Sequence, residues 1–269
     1  MPIEQDTRQR LDAFAASASE GPFGTPTRLQ LVAATEQDSQ ALRGLGTYGF
    51  IKGATGFLVG AMGEGTRNLE DYGYLLECIV LYATDLGLGT CWLGGSFTKS
   101  RFAETIGVTA AESVPAVAAV GYAAKRPRRL DAMMRQGVGS DHRRPWEQLF
   151  FAERFGRPLS RQGAGAYAAV LDMVRLGPSA SNRQPWRIVQ EGNDWHLYLQ
   201  RSRGYGGGML SRFIQMADLQ RIDMGIAMSH FELTANELGL AGRWQLREPN
   251  LELPDDLTEY VVTWQAGGG

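Results

Sequence analysis

Apolar side chains recur at helical spacing from Tyr72 to Leu86, and Gly87 stands where a left-handed residue would stop a helix, so a long helix ending there is predicted. The nearly continuous apolar run from Ser113 to Ala123 predicts a buried strand. Asp194 to Arg201 alternates instead and predicts a strand with one buried face. Lys125 to Pro158 opens polar and arginine-rich and closes in a stretch, Pro145 to Phe155, with the pattern of an amphipathic helix. Residues 125–160 are therefore read as a connector between a first half, 1–124, and a second, 161–269. Gly267 to Gly269 reads as a frayed tail.

The two halves repeat one plan. Asp71 to Trp92 aligns without a gap to Asp223 to Trp244, with eight identities: Asp71/Asp223, Gly73/Gly225, Leu81/Leu233, Ala83/Ala235, Leu86/Leu238, Gly87/Gly239, Leu88/Leu240 and Trp92/Trp244. Upstream, Glu20 to Val32 matches Leu176 to Val189 at a leading Gly-Pro and a trailing Pro-x-Arg-apolar, with three residues fewer between. Two matched elements in the same order point to a duplication, and a repeat changes the reading of the whole fold. Each half then reads as helix, turn, strand, loop, strand, long helix, strand.

Composition narrows the partners. With 269 residues the chain can bury a sizeable core without metal or disulfide support. A net charge of −2 with mixed signs leaves no footprint for nucleic acid or an anionic membrane, so a small-molecule partner is expected. Cys78 and Cys91 match neither a redox pair nor a zinc pattern, and His142, His196 and His230 have no ligand-spaced companions, so no metal site is expected. A reducing, cytoplasmic setting fits. The start shows no apolar core behind a basic region, and no run of about 18 apolar residues occurs, so a soluble, unprocessed chain is expected.

Gly177 to Val189 (GPSASNRQPWRIV) after one helix and Leu86 to Phe97 (LGLGTCWLGGSF) after another resemble the FMN-dependent nitroreductases. GPFG, LGTYGFIKGA, DLGLGTCWLGG, RRPWEQLFF and MVRLGPSASNRQPWRIV resemble more closely a subgroup in which one polypeptide carries both halves. The resemblance covers nearly the whole chain. It implies an α+β fold, with a mixed sheet flanked by helices in each half, the halves forming an internal pseudo-dimer and the chain a monomer. It also implies FMN as cofactor and NAD(P)H as co-substrate, with a nitroaromatic, quinone or similar small molecule as acceptor.

Carried over residue by residue, the second half supplies Pro178, Ser179, Ser181, Asn182 and Gln184, and the first supplies Trp92, Leu93, Gly94 and Gly95. One site results. The reciprocal site is degenerate, because Gly21 to Pro26 has no asparagine and Trp244 is followed by Gln245, Leu246 and Arg247. An isoalloxazine ring has one hydrogen-bonding edge and flat apolar faces, so a pocket for it is mostly apolar with few fixed polar groups. The amides of Asn182 and Gln184 match that edge, and Ser179 and Ser181 can donate to the ribityl chain or phosphate. Gly94 and Gly95 would let backbone approach the ring. No catalytic side chain is assigned, since the cofactor carries the redox chemistry. The alternative for Asn182 and its serines is a helix-capping or turn loop, and for Gly94 and Gly95 an ordinary turn. Trp92 and Trp244 fit core aromatics better than flavin contacts, and Cys91 a small buried apolar residue.

Related nitroreductases begin with an Arg-x-Ser-x-Arg-like segment gripping the FMN phosphate, followed by Pro-[Ile/Leu]-Glu, and this chain starts at Pro2, Ile3 and Glu4. Three alternatives stay open: a truncated start, weaker flavin binding, or a phosphate held by Lys125, Arg126 and Arg128. The role is not carried to Arg143 and Arg144. Two further functional classes stand beside the enzyme: a non-catalytic flavin- or ligand-binding protein, and a structural pseudo-enzyme without ligand.

Overall fold

In the first unit, a long helix buries Leu69, Tyr72, Leu75, Leu76, Ile79, Val80 and Ala83, a stripe at three- and four-residue spacing that reaches across about four turns. This is α2, Asn68–Asp85, and each of its large aliphatic side chains contributes about 1.5–3 kcal/mol by leaving water. It stops as predicted: Gly87 takes φ +78°, its N–H donates to Thr84 O at 2.9 Å, and Leu88 N–H donates to Ala83 O at 2.9 Å.

The computed structural model describes residues 1–35, 38, 40–47, 51–95, 97–124, 139–204 and 217–267. These fall into two compact units, Met1–Met134 with Met209–Leu219, and Arg135–Gly208 with Gln220–Gly269. The first holds α1 (Gln5–Ser17), β1 (Thr27–Ala33), β2 (Gly56–Met62), α2, β3 (Gly89–Leu93), α3 (Lys99–Thr105) and β4 (Val117–Gly121). Its strands form one sheet in the order β1-β2-β4-β3, every pairing antiparallel. The expectation of a mixed sheet in this half is therefore corrected: among the described residues it has no parallel pair.

Strand β2 is buried along its whole length. Phe57, Val59 and Ala61 pack with Phe102 of α3, Leu93 and Val117 on one face. On the other, a Cβ on Gly60 would lie 2.8 Å from the Tyr72 ring, so glycine lets that helix side chain approach the sheet. Tyr72 then donates its hydroxyl to Ala116 O at 2.6 Å, and burial pushes its ionisation above the usual range.

The second unit holds β5 (Phe150–Ala152), α4 (Arg161–Ala164), α5 (Tyr167–Leu176), β6 (Trp186–Glu191), β7 (Asp194–Gln200), α6 (Leu219–Glu237, from Gln220), β8 (Gly242–Gln245) and β9 (Thr258–Ala266). Its sheet order is β5-β6-β7-β9-β8, mixed because β5 runs parallel to β6 while the other pairs are antiparallel. Trp195 of β7 packs with Tyr167 and Phe231, and Trp244 and Trp264 complete an aromatic core. Val189, Tyr198 and Tyr260 pack on Phe151, Phe155 and Leu251. Strand β7 is thus buried from Trp195 through Leu199, where alternation had predicted one wet face. The polar member of that series, His196, is kept inside by Thr263, whose Oγ1 lies 2.8 Å from its Nδ1.

The amphipathic helix expected over Pro145 to Phe155 does not form. Trp146–Gln148 makes one 3-10 turn and Phe150–Ala152 becomes β5, pairing Phe150 with Ile188. Consecutive Leu149, Phe150 and Phe151 suit a strand, and the outer edge of β6 supplies backbone partners that a helix would leave unpaired. Residues 139–160 accordingly belong to the second unit. Cys91 is exposed, another correction to the expectation of a small buried residue. No helix among the described residues is long and apolar enough to cross a membrane.

Candidate functional site

Helix α5 ends at a Gly-Pro step, since a residue before proline is driven out of the helical region. Beyond it the chain makes a turn of unusual backbone. Ser179 is extended, and Ser181, Asn182 and Gln184 then take φ of +49°, +52° and +49°. Left-handed backbone costs a non-glycine residue on the order of 1 kcal/mol, asparagine less, so three such residues need support.

Residues Gly139 to Arg144 supply it. Asn182 Nδ2 donates to Gly139 O at 2.6 Å and to His142 O at 2.9 Å. Gln184 Nε2 donates to His142 O at 3.2 Å and to Asn182 Oδ1 at 3.0 Å, while Gln184 Oε1 accepts from Arg144 N at 2.8 Å. Ser179 Oγ accepts from Gln184 N at 2.9 Å. Buried Asp223 of α6 closes the base, its Oδ1 accepting from Ala180 N at 2.9 Å. Both amides singled out in the sequence therefore brace the turn itself. Ser181 stays exposed at its crest, with Pro178, Ser179 and Asn182 half-buried beside it.

The surroundings are basic. Arg143 donates to Ser140 O, His142 O and Leu176 O at 2.7, 3.1 and 3.0 Å, so its guanidinium is a strut between the 139–144 segment and the end of α5. Burial, and then neighbouring Arg175, lower its pKa. Arg144 donates from Nε to Arg183 O at 3.2 Å, and Arg175 donates to Arg144 O at 2.8 Å. Arg187 on β6 is 6% exposed, and burial followed by repulsion from Arg144 brings its pKa down to about 10. Among the described residues none of these arginines has a carboxylate at ion-pair distance. The sequence pattern places Arg143 and Arg144 in the connector. Their position beside the Ser-Asn turn follows from β5 joining β6, a pairing the helical pattern concealed.

In the first unit, Trp92 to Gly95 spans the end of β3 and a bend. Leu93 points into the core, 4% exposed against Phe57 and Val117. The Trp92 indole donates to Glu77 Oε2 at 2.7 Å. A Cβ on Gly94 would meet Leu219 Cδ1 at 2.5 Å, so packing within this unit uses the glycine's missing side chain. Lys125, Arg126 and Arg128 lie outside the described residues.

The aligned positions behave alike. Asp71 accepts from Phe23 N at 2.9 Å and Thr25 N at 2.8 Å, tying down the Gly21-Pro22 turn as Asp223 ties down the Gly177-Pro178 turn. Trp244, like Trp92, donates its indole N–H to a helix glutamate, Glu232, at 2.6 Å. Strand orders β1-β2-β4-β3 and β6-β7-β9-β8 are the same antiparallel arrangement built twice.

A model of the family described as "Putative TM nitroreductase" matches residues 1–235. Among solved structures, a putative nitroreductase from Anabaena variabilis superposes with a TM-score of 0.55 at 9% identity, over 99% of this chain and 90% of that one. A putative nitroreductase from Thermotoga maritima gives 0.49 at 23% identity, over 78% and 70%. The NADPH:FMN oxidoreductase from Vibrio harveyi gives 0.35 at 18% identity, over 48% and 65%. No curated protein matches. The first superposition, near full length, shows the nitroreductase-like α+β fold with two sheets. With the family model covering most of its length, the chain belongs to the Putative TM nitroreductase family.

Proposed function

We propose that the chain is an FMN-dependent oxidoreductase that passes hydride from NAD(P)H to a small planar acceptor such as a nitroaromatic or a quinone. The observation that carries this is the Ser179–Gln184 turn, with three non-glycine residues in left-handed backbone braced by the 139–144 segment. Strain of that kind persists where structure over-determines it, which is common at ligand-binding turns. The turn fits the polar tail of a flavin mononucleotide. Ser181 offers an exposed hydroxyl, Ser179 keeps its hydroxyl proton, and an excess of arginine surrounds them.

In this proposal Ser179 and Ser181 hold the ribityl and phosphate oxygens, Pro178 lends an apolar surface, and Asn182 and Gln184 fix the turn. Arg143 positions rather than binds, its Nη1 and Nη2 groups being committed to carbonyls. Lys125, Arg126 and Arg128 remain proposed phosphate partners, with exposed Arg183 beside the turn as another. Trp92, Leu93, Gly94 and Gly95 enter from the family resemblance alone. Bound FMN would supply the hydride-transfer chemistry, so no protein acid or base is assigned. The matching aspartate latches and strand orders support a duplication, and one flavin per monomeric chain is proposed, since only the second Gly-Pro turn carries the serines and asparagine.

Anaerobic addition of NADPH, and separately NADH, to the FMN-loaded protein tests turnover: bleaching of the flavin band by either nucleotide is expected. One observation favours a second reading, a non-catalytic flavin- or ligand-binding protein, because the amides of Asn182 and Gln184 are already satisfied by the protein. Flavin that binds yet stays oxidised under both nucleotides would establish it in place of the first.

A further inference from the structure

Apart from the proposed flavin turn, the second unit contains a cavity of about 410 Å³, within the range of about 300–1,000 Å³ typical of small-molecule sites. Arg144 and Arg187 line it together with Phe151, Phe155, Gln148 and Gln200. Arg187 is more than nine-tenths buried, yet it donates only from Nη1, to Gln184 O at 3.0 Å and Trp186 O at 2.6 Å. Among the described residues its Nε and Nη2 have no acceptor, and no carboxylate reaches ion-pair distance. A buried guanidinium is retained at a large desolvation cost unless a partner restores its interactions. The carboxylates nearest the cavity are otherwise placed: Glu147 is exposed on the lining, and Asp255 accepts from Thr258 Oγ1 at 2.6 Å and Gln200 Nε2 at 3.2 Å.

We propose that this cavity binds a small organic anion with a flat apolar body, its carboxylate on Arg187 and Arg144 and its body against Phe151 and Phe155. A planar guanidinium with unused N–H groups matches a carboxylate in two-point geometry. Two aromatic rings beside it favour an arene over a hydrated inorganic anion. The cation lying at the inner wall places the charged group deepest, with the apolar end towards solvent. Burial and neighbouring Arg144 lower the Arg187 pKa, against a smaller opposing pull from Asp255. The cavity abuts the proposed flavin turn, since Arg187 donates to Gln184 O and Arg144 to Arg183 O, but its lining includes none of the turn residues Pro178 to Gln184, so the proposal does not rest on the flavin reading.

Calorimetric titration of the full chain with phenylacetate tests it, with phenylacetamide as the neutral isostere and inorganic phosphate as the bare anion. Saturable binding of one phenylacetate per chain is expected, with both controls weaker by about tenfold or more. Arg144→Ala, at a half-buried side chain, and Arg187→Gln should each weaken phenylacetate by about thirty-fold or more, while Arg187→Lys should keep part of the affinity. Circular dichroism identifies any variant that fails to fold, and Arg144→Ala serves if Arg187→Gln does. Saturating FMN should leave the phenylacetate affinity unchanged. Absence of saturable binding, equal binding of the amide or of phosphate, unchanged affinity in the Arg144 variant, or competition by FMN would each overturn the proposal.

Discussion

At the scale of single residues, two aspartates decide whether the Gly-Pro turns keep their shape. Asp223 is 2% exposed and accepts from Ala180 N, so Asp223→Ala would strand a backbone donor beneath the strained turn. A loss of about 1–3 kcal/mol in urea unfolding is expected, with weakened FMN binding. Asp223→Asn, which keeps an acceptor, should recover most of both. An alanine variant as stable as the parent would remove Asp223 from the account. A second pair sets an acid limit on stability. Arg28 grips Glu112 at 2.8 Å, and that hydrogen bond brings the glutamate from 4.5 to about 2. A depressed carboxylate stabilises the fold above its unfolded value and ceases to as pH falls through the folded one. The melting-temperature gap between parent and Glu112→Gln should therefore be widest above pH 4.5 and shrink towards pH 2. Asp71 has the opposite sign: burial raises it, so its contribution falls as pH rises from 3.8 towards its folded value.

Much of this scale was legible in advance. Ser179, Ser181, Asn182 and Gln184 do gather in one turn, because a Gly-Pro stop and small polar side chains specify a turn locally. What the amides do there was not legible, since their partners, Gly139 to Arg144, are some forty residues away in sequence. Hydrogen bonds across such a separation leave no periodic trace.

Among elements, the two long helices end in the same way. Gly239 takes φ +70°, donating to Asn236 O at 3.0 Å, and Leu240 donates to Ala235 O at 2.8 Å, as Gly87 and Leu88 do after α2. A Cβ would meet nothing within 4 Å at either glycine, so the price of a side chain is purely conformational. Gly87→Ala and Gly239→Ala should each lower unfolding stability by about 1–2 kcal/mol, and asparagine at either position by less. Equal stability of alanine and glycine would refute the left-handed caps. These helices were readable because period and terminator agree, and β4 from its apolar run, whereas β7 was readable as a strand but not as one buried on both faces. Strand β5 was not: three consecutive apolar residues satisfy a helical face as well as a strand, and only the free edge of β6 decides between them. The antiparallel first sheet was equally hidden, since pairing direction is set by connections and not by hydrophobic pattern.

For the whole molecule, the features that the two units share bear on the proposed function. An aspartate, a Gly-Pro turn, a helix-ending glycine, an indole on a helix glutamate and a four-strand order occur in both units. Only one turn carries the serines and asparagine, which is why a single flavin per chain is proposed. Light scattering should report the mass of one chain, 29.5 kDa, and an obligate dimer would contradict a monomer. The most direct measurement is the visible spectrum of the full chain titrated with FMN, alongside Ser179→Ala and Ser181→Ala. Saturation at one flavin per chain, with affinity lowered several-fold in each variant by the loss of about 0.5–1.5 kcal/mol per hydrogen bond, is the predicted result. Two flavins per chain, no binding in excess FMN, or variants that bind as tightly as the parent would contradict it.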